Sequence, residues 1–155
     1  MKTGYTILLL FFVLGLNTGN TQEVYQKKDK YYTTGGSLFS GTFKEFYQSG
    51  KIFSENSISD GVLDGISFIY YENGARKEQR SYKAGKKDGT WITWSEDGTK
   101  TAEANFKEGK KEGYWYIFDE DGQKRYEMYY EKGEIRGTWL IWDADGKLVT
   151  RQDFK

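Results

Sequence analysis

The middle of the chain alternates runs of aromatic and β-branched residues with short polar turns. Residues 89–94, GTWITW, are followed by the acidic turn SEDG, and the later run TAEANF is followed by the lysine-rich turn KEGKKE. Short runs of this composition are typical of β-strands, and Asp-Gly between two such runs favours a tight hairpin. The pattern therefore predicts a strand, a turn, a second strand and a second turn.

This four-part pattern recurs with a period of 24 residues and no insertion. The units are residues 41–64, 65–88, 89–112, 113–136 and, incompletely, 137–155. The predicted structural glycines that keep the period are Gly65, Gly74, Gly85, Gly89, Gly98, Gly109, Gly113, Gly122, Gly133, Gly137 and Gly146, with Gly41, Gly50 and Gly61 at the same positions of the first unit. A constant period of this length indicates a tandem repeat array.

The short turns predict that consecutive strands pair antiparallel, because parallel strands need a longer crossover connection. The predicted fold class is all-β: a single-layer, twisted or curled antiparallel meander of tandem β-hairpin repeats, with about ten strands. A single layer has no second sheet over its apolar face. Aromatic side chains of one unit are therefore expected to cover the glycines and aromatics of the next, and each opening glycine to accommodate a neighbouring ring.

The start of the chain differs from the repeats. The apolar run at residues 5–16, YTILLLFFVLGL, is shorter than the ~20 residues that span a bilayer. Residues 1–21 are therefore predicted to be a helical signal peptide, and an uncleaved anchor is the alternative. The protein is expected to be exported to the periplasm, the envelope or the medium, without a cysteine-linked lipid. Residues 22–40 are predicted to be a cap or linker, with 31–40 either a first strand or a degenerate half-repeat.

Composition excludes several kinds of chemistry. The 23 basic and 23 acidic residues give a net charge of zero, so we expect no nucleic-acid partner. Cysteine and histidine are absent, which removes disulfides, thiolate nucleophiles and the commonest general base and metal ligand. The carboxylates recur at equivalent turn positions, whereas a catalytic pair is a unique arrangement in a cleft. We predict no enzymatic activity, no cofactor and no metal site; the Asp-x-Asp-Gly turns lack the further ligands of a calcium loop.

Tryptophans form the first candidate binding set. Trp91, Trp115 and Trp139 lie two residues after an opening glycine, and Trp94 and Trp142 lie five residues after one. A column of indoles is either a stacking platform for a sugar or a peptide, or the packing between units that a single-layer sheet requires.

Lysines of the second turn form the second candidate set. Lys86, Lys87, Lys110 and Lys111 are predicted to lie along one long edge of the meander, and the acidic first turns along the other. This edge either steers a polar partner or is an ordinary row of solvated turns. Attraction to anionic lipid is expected to be weak because the net charge is zero.

The motif Gly-x-Trp-x-x-Trp/Phe-x-x-Asp-Gly-Lys, followed by an aromatic residue and Lys-x-Gly-Lys-Lys-x-Gly, resembles the MORN-repeat variant found in many bacterial proteins. The resemblance covers residues 41–155 and is weaker in the first unit, where 59–64 has no lysine. It implies a curled ribbon of hairpins. Bacterial members imply an antitoxin-like role, and eukaryotic relatives imply scaffolding, dimerisation and lipid binding. The stretch GYWYIFDEDG is also similar to Gly-Trp repeats of choline- and glucan-binding modules, which have a shorter period.

Three functional hypotheses follow. The first is an exported, non-enzymatic repeat module that binds another protein or assembles with itself, as curved repeat arrays do. The second is a cell-surface carbohydrate-binding module that uses the tryptophan columns. The third, implied by the resemblance alone, is an antitoxin or immunity protein that neutralises a toxin.

Overall fold

The computed structural model describes residues 23–155, and this range contains strands and no helix. The strands are β1 Val24–Lys27, β2 Lys30–Thr33, β3 Gly41–Phe46, β4 Ile52–Ser59, β5 Val62–Leu63, β6 Gly65–Tyr70, β7 Arg76–Lys83, β8 Lys86–Lys87, β9 Gly89–Trp94, β10 Lys100–Lys107, β11 Lys110–Lys111, β12 Gly113–Phe118, β13 Lys124–Glu131, β14 Glu134–Trp142 and β15 Leu148–Phe154. Accordingly, the described part of the chain offers no helix capable of crossing a membrane. The predicted signal segment, residues 1–21, lies outside the described residues.

The strands form two antiparallel sheets. β1 and β2 make a small hairpin, and the other strands make one large sheet. Ten of its strands follow each other in chain order from β3 to β15, and the two-residue strands β5, β8 and β11 pair with β4, β7 and β10. The first and last strands of this path do not pair, so the sheet is not closed. The predicted all-β antiparallel meander of hairpins is confirmed.

The second turn of each unit links neighbouring units along one edge of the sheet. Glu108 and Gly109 have φ angles of 50° and 86°, as a two-residue hairpin with both φ angles positive requires. The Gly109 N–H donates to the Lys87 carbonyl at 2.8 Å, and the Glu108 N–H donates to the Asp88 carboxylate at 3.0 Å. Equivalent bonds recur in the other units. Turn chemistry therefore fixes the spacing of the units as well as the hairpins.

The hydrophobic core of buried residues lies at the start of the array. It consists of Val24, Tyr31, Phe39, Phe43 and Ile58, with Leu63 packed against them. Beyond this cluster each strand packs mainly against the strands to which it is hydrogen-bonded, and the described chain places no second layer over the sheet. Most large side chains in the later units are consequently half-exposed.

The segment before the first repeat continues the repeat pattern. The Tyr31 ring lies 5.0 Å from the Phe43 ring, a ring pair like those between later units. The Gly61 N–H donates to the Phe39 carbonyl at 2.8 Å, as the equivalent glycines do further along the array. Of the two alternatives for residues 31–40, both hold in part, because β2 is a strand and the segment makes the contacts of a half-repeat. Ser40 adds the matching side-chain acceptor, since its hydroxyl binds the N–H at the next turn.

The prediction that each opening glycine accommodates a neighbouring aromatic ring is wrong in four of the five units. Gly41 does face a ring, that of Phe39. A Cβ added at Gly65 or Gly89 would instead meet Ser57 or Ser81, and the nearest atoms to those at Gly113 and Gly137 are also Cβ atoms of the preceding unit. The φ angles of these glycines are positive, a conformation that glycine adopts without the steric cost of a Cβ.

Candidate functional site

Strand alternation divides the five predicted tryptophans between the two faces of the sheet. Trp91 and Trp94 are three residues apart in β9, so their side chains point to opposite sides. We call the side that carries Trp91, Trp115 and Trp139 the aromatic face, and the side that carries Trp94 and Trp142 the opposite face. The predicted tryptophan set is therefore two surfaces and not one site.

A continuous row of five rings runs across the middle of the aromatic face. The rings of Tyr82, Trp91, Phe106, Trp115 and Tyr130 follow one another with centroids 5.3, 5.2, 5.1 and 5.2 Å apart. The interplanar angles of 53–63° are those of tilted and edge-to-face pairs. The predicted packing of the aromatics of one unit against those of the next is thus present here.

Indole hydrogen bonds fix two of these rings. Trp91 Nε1–H donates to the Ser81 carbonyl at 2.9 Å, and Trp115 Nε1–H donates to the Asn105 carbonyl at 3.0 Å. Trp139 departs from this arrangement. Its ring has Phe154 as a neighbour at 6.2 Å, and its buried Nε1–H finds no acceptor among residues 23–155.

Two of the four predicted edge lysines lie over the rings of this row. Lys87 Nζ is 4.2 Å from the Trp91 ring centroid and 4.9 Å from that of Phe106. Lys111 makes the equivalent contacts one unit later, at 4.2 Å and 4.5 Å from the centroids of Trp115 and its tyrosine neighbour. A cation held at this distance interacts favourably with the ring face. These ammonium groups therefore occupy indole surface that a stacking ligand would need.

The remaining edge lysines are exposed, and the edge is not purely basic. Lys86 and Lys110 lie in the two-residue strands β8 and β11 with their side chains in solvent. The carboxylates of Asp88 and Glu112 lie on the same edge and accept the backbone N–H of the next turn. The predicted separation of acidic and basic edges is therefore weaker than the lysines alone suggest.

The aromatic face changes from apolar to polar toward the first two units. In the third and fourth units its central columns carry Ala102, Ala104, Ile117 and Met128. The same columns in the first two units carry six polar residues, which we call the polar cluster. They are Glu45, Ser54, Asn56, Ser67, Glu78 and Arg80.

The polar cluster contains two separate hydrogen-bonded groups, and Ile69 lies between them in the strand register. The Ser54 hydroxyl donates to Glu45 Oε2, and Asn56 Nδ2 donates to the Ser54 Oγ at 3.0 Å. Arg80 pairs with Glu78 at 2.8 Å. Nothing in the turn motifs marked these residues. The available signal was the loss of apolar side chains from columns that are apolar in later units.

Comparison with known proteins identifies the repeats. The sequence profile described as MORN repeat variant matches residues 39–59, 63–84, 87–108 and 111–132, which together make up more than half of the chain. The chain belongs to the MORN repeat variant family. Repeats of this family generally serve as modules that interact with proteins or membranes.

Other comparisons add little. No curated protein matches the chain. A solved structure described as "Crystal structure of GtfA/B complex bound to UDP and GlcNAc" is similar at 11% identity and a TM-score of 0.30, over 97% of this chain and 28% of that one. The chain thus spans less than a third of that protein, and a TM-score this low carries no structural argument.

The opposite face of the MORN array neutralises its own charges. Lys44 pairs with Glu55 at 2.6 Å, and Lys100 pairs with Glu103 at 2.9 Å. The hydrogen bond from Lys44 lowers the pKa of Glu55. Burial, followed by the hydrogen bond that its hydroxyl donates to Glu55, raises the pKa of Tyr70 to about 12. These groups satisfy one another and leave little unpaired charge on this face.

The two tryptophans of the opposite face have structural contacts. Lys124 Nζ lies 4.6 Å from the Trp142 ring centroid, and Lys124 also pairs with Glu127. The carbonyl of Trp94 accepts the Tyr71 hydroxyl of the preceding MORN unit at 2.9 Å. The opposite face therefore repeats the cation-over-ring arrangement without forming a separate polar site.

Acidic first turns use their carboxylates to close the turn. Asp119 Oδ1 accepts the N–H of Asp121 at 3.1 Å and of Gln123 at 2.8 Å, and Arg125 pairs with the other oxygen. Desolvation acts to raise the pKa of Asp119, but these hydrogen bonds and the guanidinium outweigh it and lower the pKa. Within residues 23–155 no group of three or more His, Cys, Asp or Glu side chains is placed to hold a metal ion.

Proposed function

We propose that this MORN-repeat chain is an exported, non-enzymatic module that binds another protein through its aromatic face. The observation that carries the proposal is the uncovered apolar half of that face. Ile117 is 41% exposed near the end of β12, beside Ala102 across the strand pair, and the described chain supplies no layer to cover it. Aromatic residues and methionine are enriched in the cores of protein interfaces.

A second copy of this chain is the alternative partner for the aromatic face. Two copies facing each other antiparallel would set the apolar half of one against the polar cluster of the other, which leaves polar groups without partners. A different protein with its own complementary surface avoids this mismatch. The proposal therefore favours a heterologous partner, and the molar mass of the purified chain tests the alternative.

Carbohydrate binding has less support than protein binding. A sugar stacks on an open aromatic face, and Lys87 and Lys111 lie over the rings of Trp91 and Trp115. A glycan array with the wild-type chain, together with Trp115→Ala, tests this alternative. An antitoxin or immunity role is a special case of the proposed function in which the partner is a toxin, and it rests on the family resemblance alone.

Export rests on the sequence of residues 1–21 and has its own test. Cell fractionation followed by N-terminal sequencing should place the chain outside the cytosol and, if the signal is removed, show a start near Gln22. A cytosolic chain that begins at Met1 would contradict export without bearing on the aromatic face.

The interface is tested by a pull-down with two matched variants. The tagged full chain is used to capture proteins from the envelope fraction of its own cells, and each band is identified. Ile117→Glu introduces a charge on the aromatic face, whereas Ile66→Glu introduces the same charge at a residue that is 47% exposed on the opposite face. We expect the specific partner to be lost with Ile117→Glu and retained with Ile66→Glu. Equal capture by both variants would refute the aromatic face as the interface.

A further inference from the structure

One carboxylate of the polar cluster lacks a cation. The carboxylates in strand interiors otherwise have one within 4 Å. These pairs are Glu55 with Lys44, Glu78 with Arg80, Glu103 with Lys100, Glu127 with Lys124 and Asp153 with Arg151. In the part of the chain that the structure describes, Glu45 is the exception. Glu45 is half-buried in β3 and has hydroxyl and amide donors only, so its charge is uncompensated.

A second member of the cluster is also unsatisfied. Ser67 is 1% exposed, and its Oγ has no hydrogen-bond partner among residues 23–155. It occupies the column that carries tryptophan in the three later units, and the strand register places it between Asn56 and Arg80. A buried hydroxyl without a partner costs about 1–3 kcal/mol. Serine in place of tryptophan at this column therefore does not stabilise the repeat.

The Glu45 carboxylate and the Ser67 hydroxyl can both accept hydrogen bonds from one donor group. A carboxylate accepts about four hydrogen bonds, and the described contacts of Glu45 use about half of this capacity. A serine oxygen also accepts. A guanidinium or ammonium group donates several hydrogen bonds, accepts none and carries the missing positive charge. An anion or a neutral acceptor would leave Glu45 uncompensated.

We propose that the polar cluster binds a basic side chain of the protein partner, with Glu45 as its counter-ion and the Ser67 hydroxyl as an acceptor exposed when Arg80 shifts. This inference deepens the proposed function, on which it rests, by giving the partner's chemistry. The polar cluster selects a positive charge, and the apolar half of the same face receives hydrophobic side chains. Arg80 is the cross-strand neighbour of Ser67, and its half-exposed guanidinium must leave its pairing with Glu78 at 2.8 Å and its position 5.4 Å from the Trp91 ring centroid to expose that hydroxyl.

The test uses small probes and needs no partner. N-acetyl-arginine methylamide is titrated into the isotope-labelled full chain, and amide shifts are followed by NMR. We expect saturable shifts at Glu45, Ser54 and Ser67, and none with the neutral citrulline analogue. Glu45→Gln should weaken binding about tenfold or more, and Glu103→Gln, the same change on the opposite face, should leave it unchanged. The proposal would be overturned by amide shifts that persist in Glu45→Gln or that also occur with the citrulline analogue. It would also be overturned by shifts located at the acidic first turns instead of at the polar cluster.

Ser67→Ala keeps the proposal testable if Glu45→Gln does not fold. Removal of an unpartnered buried hydroxyl should leave the stability equal or higher, while binding of the arginine probe weakens. Unchanged probe binding in a folded Ser67→Ala chain would remove Ser67 from the site. Probe binding is measured on the isolated chain, so its failure and the failure of partner capture are distinguishable. If the partner is captured but the arginine probe does not bind, the inference of a basic side chain is refuted and the proposed interface is not.

Discussion

Two alanine substitutions can separate the stability effect of the close contact at an opening glycine from the effect of its positive φ angle. Gly89 opens the third unit and Gly98 lies in its first turn, and both have a φ of 93°. A Cβ added at Gly89 would lie 2.9 Å from Ser81 Oγ and 3.2 Å from Ser81 Cβ, whereas one added at Gly98 would meet nothing within 4 Å. Alanine therefore imposes the same backbone strain at both positions and a steric conflict at Gly89 only.

The two substitutions should differ by the steric term. An L-residue in the left-handed region costs about 1–2 kcal/mol, and this applies to both positions. Overpacking adds about 1–3 kcal/mol at Gly89 alone. The entropy lost from the unfolded chain offsets both by about 0.4–1 kcal/mol. We expect Gly98→Ala to lower the free energy of unfolding by about 1 kcal/mol and Gly89→Ala to lower it by roughly 2–4 kcal/mol.

Urea denaturation followed by circular dichroism and tryptophan fluorescence measures both losses, with coincident transitions required before free energies are compared. Ser81→Gly removes the obstructing atoms, so Gly89→Ala made in that background should cost no more than Gly98→Ala does in the wild type. Equal losses for the two alanine variants in the wild-type background would refute the assignment of Gly89 to close packing between units.

Three further predictions concern the ring row, the turn edge and the opposite face. Trp115→Ala should lower the free energy of unfolding by about 3–5 kcal/mol, and Trp139→Ala by clearly less, because the Trp139 ring has a more distant neighbour and no indole acceptor in the described chain; urea titration compares them, and equal losses would contradict the ring row. Asp88→Ala removes the acceptor of a turn N–H and should cost about 1–2 kcal/mol, whereas the exposed Lys86→Ala should change stability by less than about 0.5 kcal/mol in the same assay. Tyr70 should ionise near pH 12 in an absorbance titration, and because its folded pKa is raised from 10, the stability it contributes is complete below pH 10 and is lost as the pH rises toward 12; a Tyr70→Phe chain with the same alkaline stability profile would contradict this.

The N-terminal half-repeat shows why spacing alone left two alternatives open. Tyr31 precedes Gly41 by ten residues, whereas the equivalent Ile58 precedes Gly65 by seven. The three additional residues lie around Gly35 and Gly36, so the glycine and aromatic spacing of the later units does not extend to this segment. The contacts of Tyr31 and Phe39 with the first unit identify it, because they depend on distance in space and not on the residue count.

The tryptophan set was predicted in part. Strand alternation is a local rule, and applied to β9 it places Trp91 and Trp94 on opposite faces without any tertiary information. Strand alternation does not predict the packing of Lys87 over the Trp91 ring, since a lysine in a turn can equally extend into solvent. The polar cluster was missed because its members come from β3, β4, β6 and β7, and it is visible only when columns are compared across strands.

The amino-acid sequence by itself determined the hairpins, their antiparallel order and the period of the array. These features follow from short-range chemistry, because the glycine in each turn supplies a positive φ angle and two-residue alternation sets the faces. The tertiary structure decided which rings contact each other and that most opening glycines lie against side chains of the preceding long strand. It also decided that Glu45 has no cation within 4 Å among residues 23–155. Such contacts depend on the register between strands, and a side chain of one type fits several neighbours until that register is fixed.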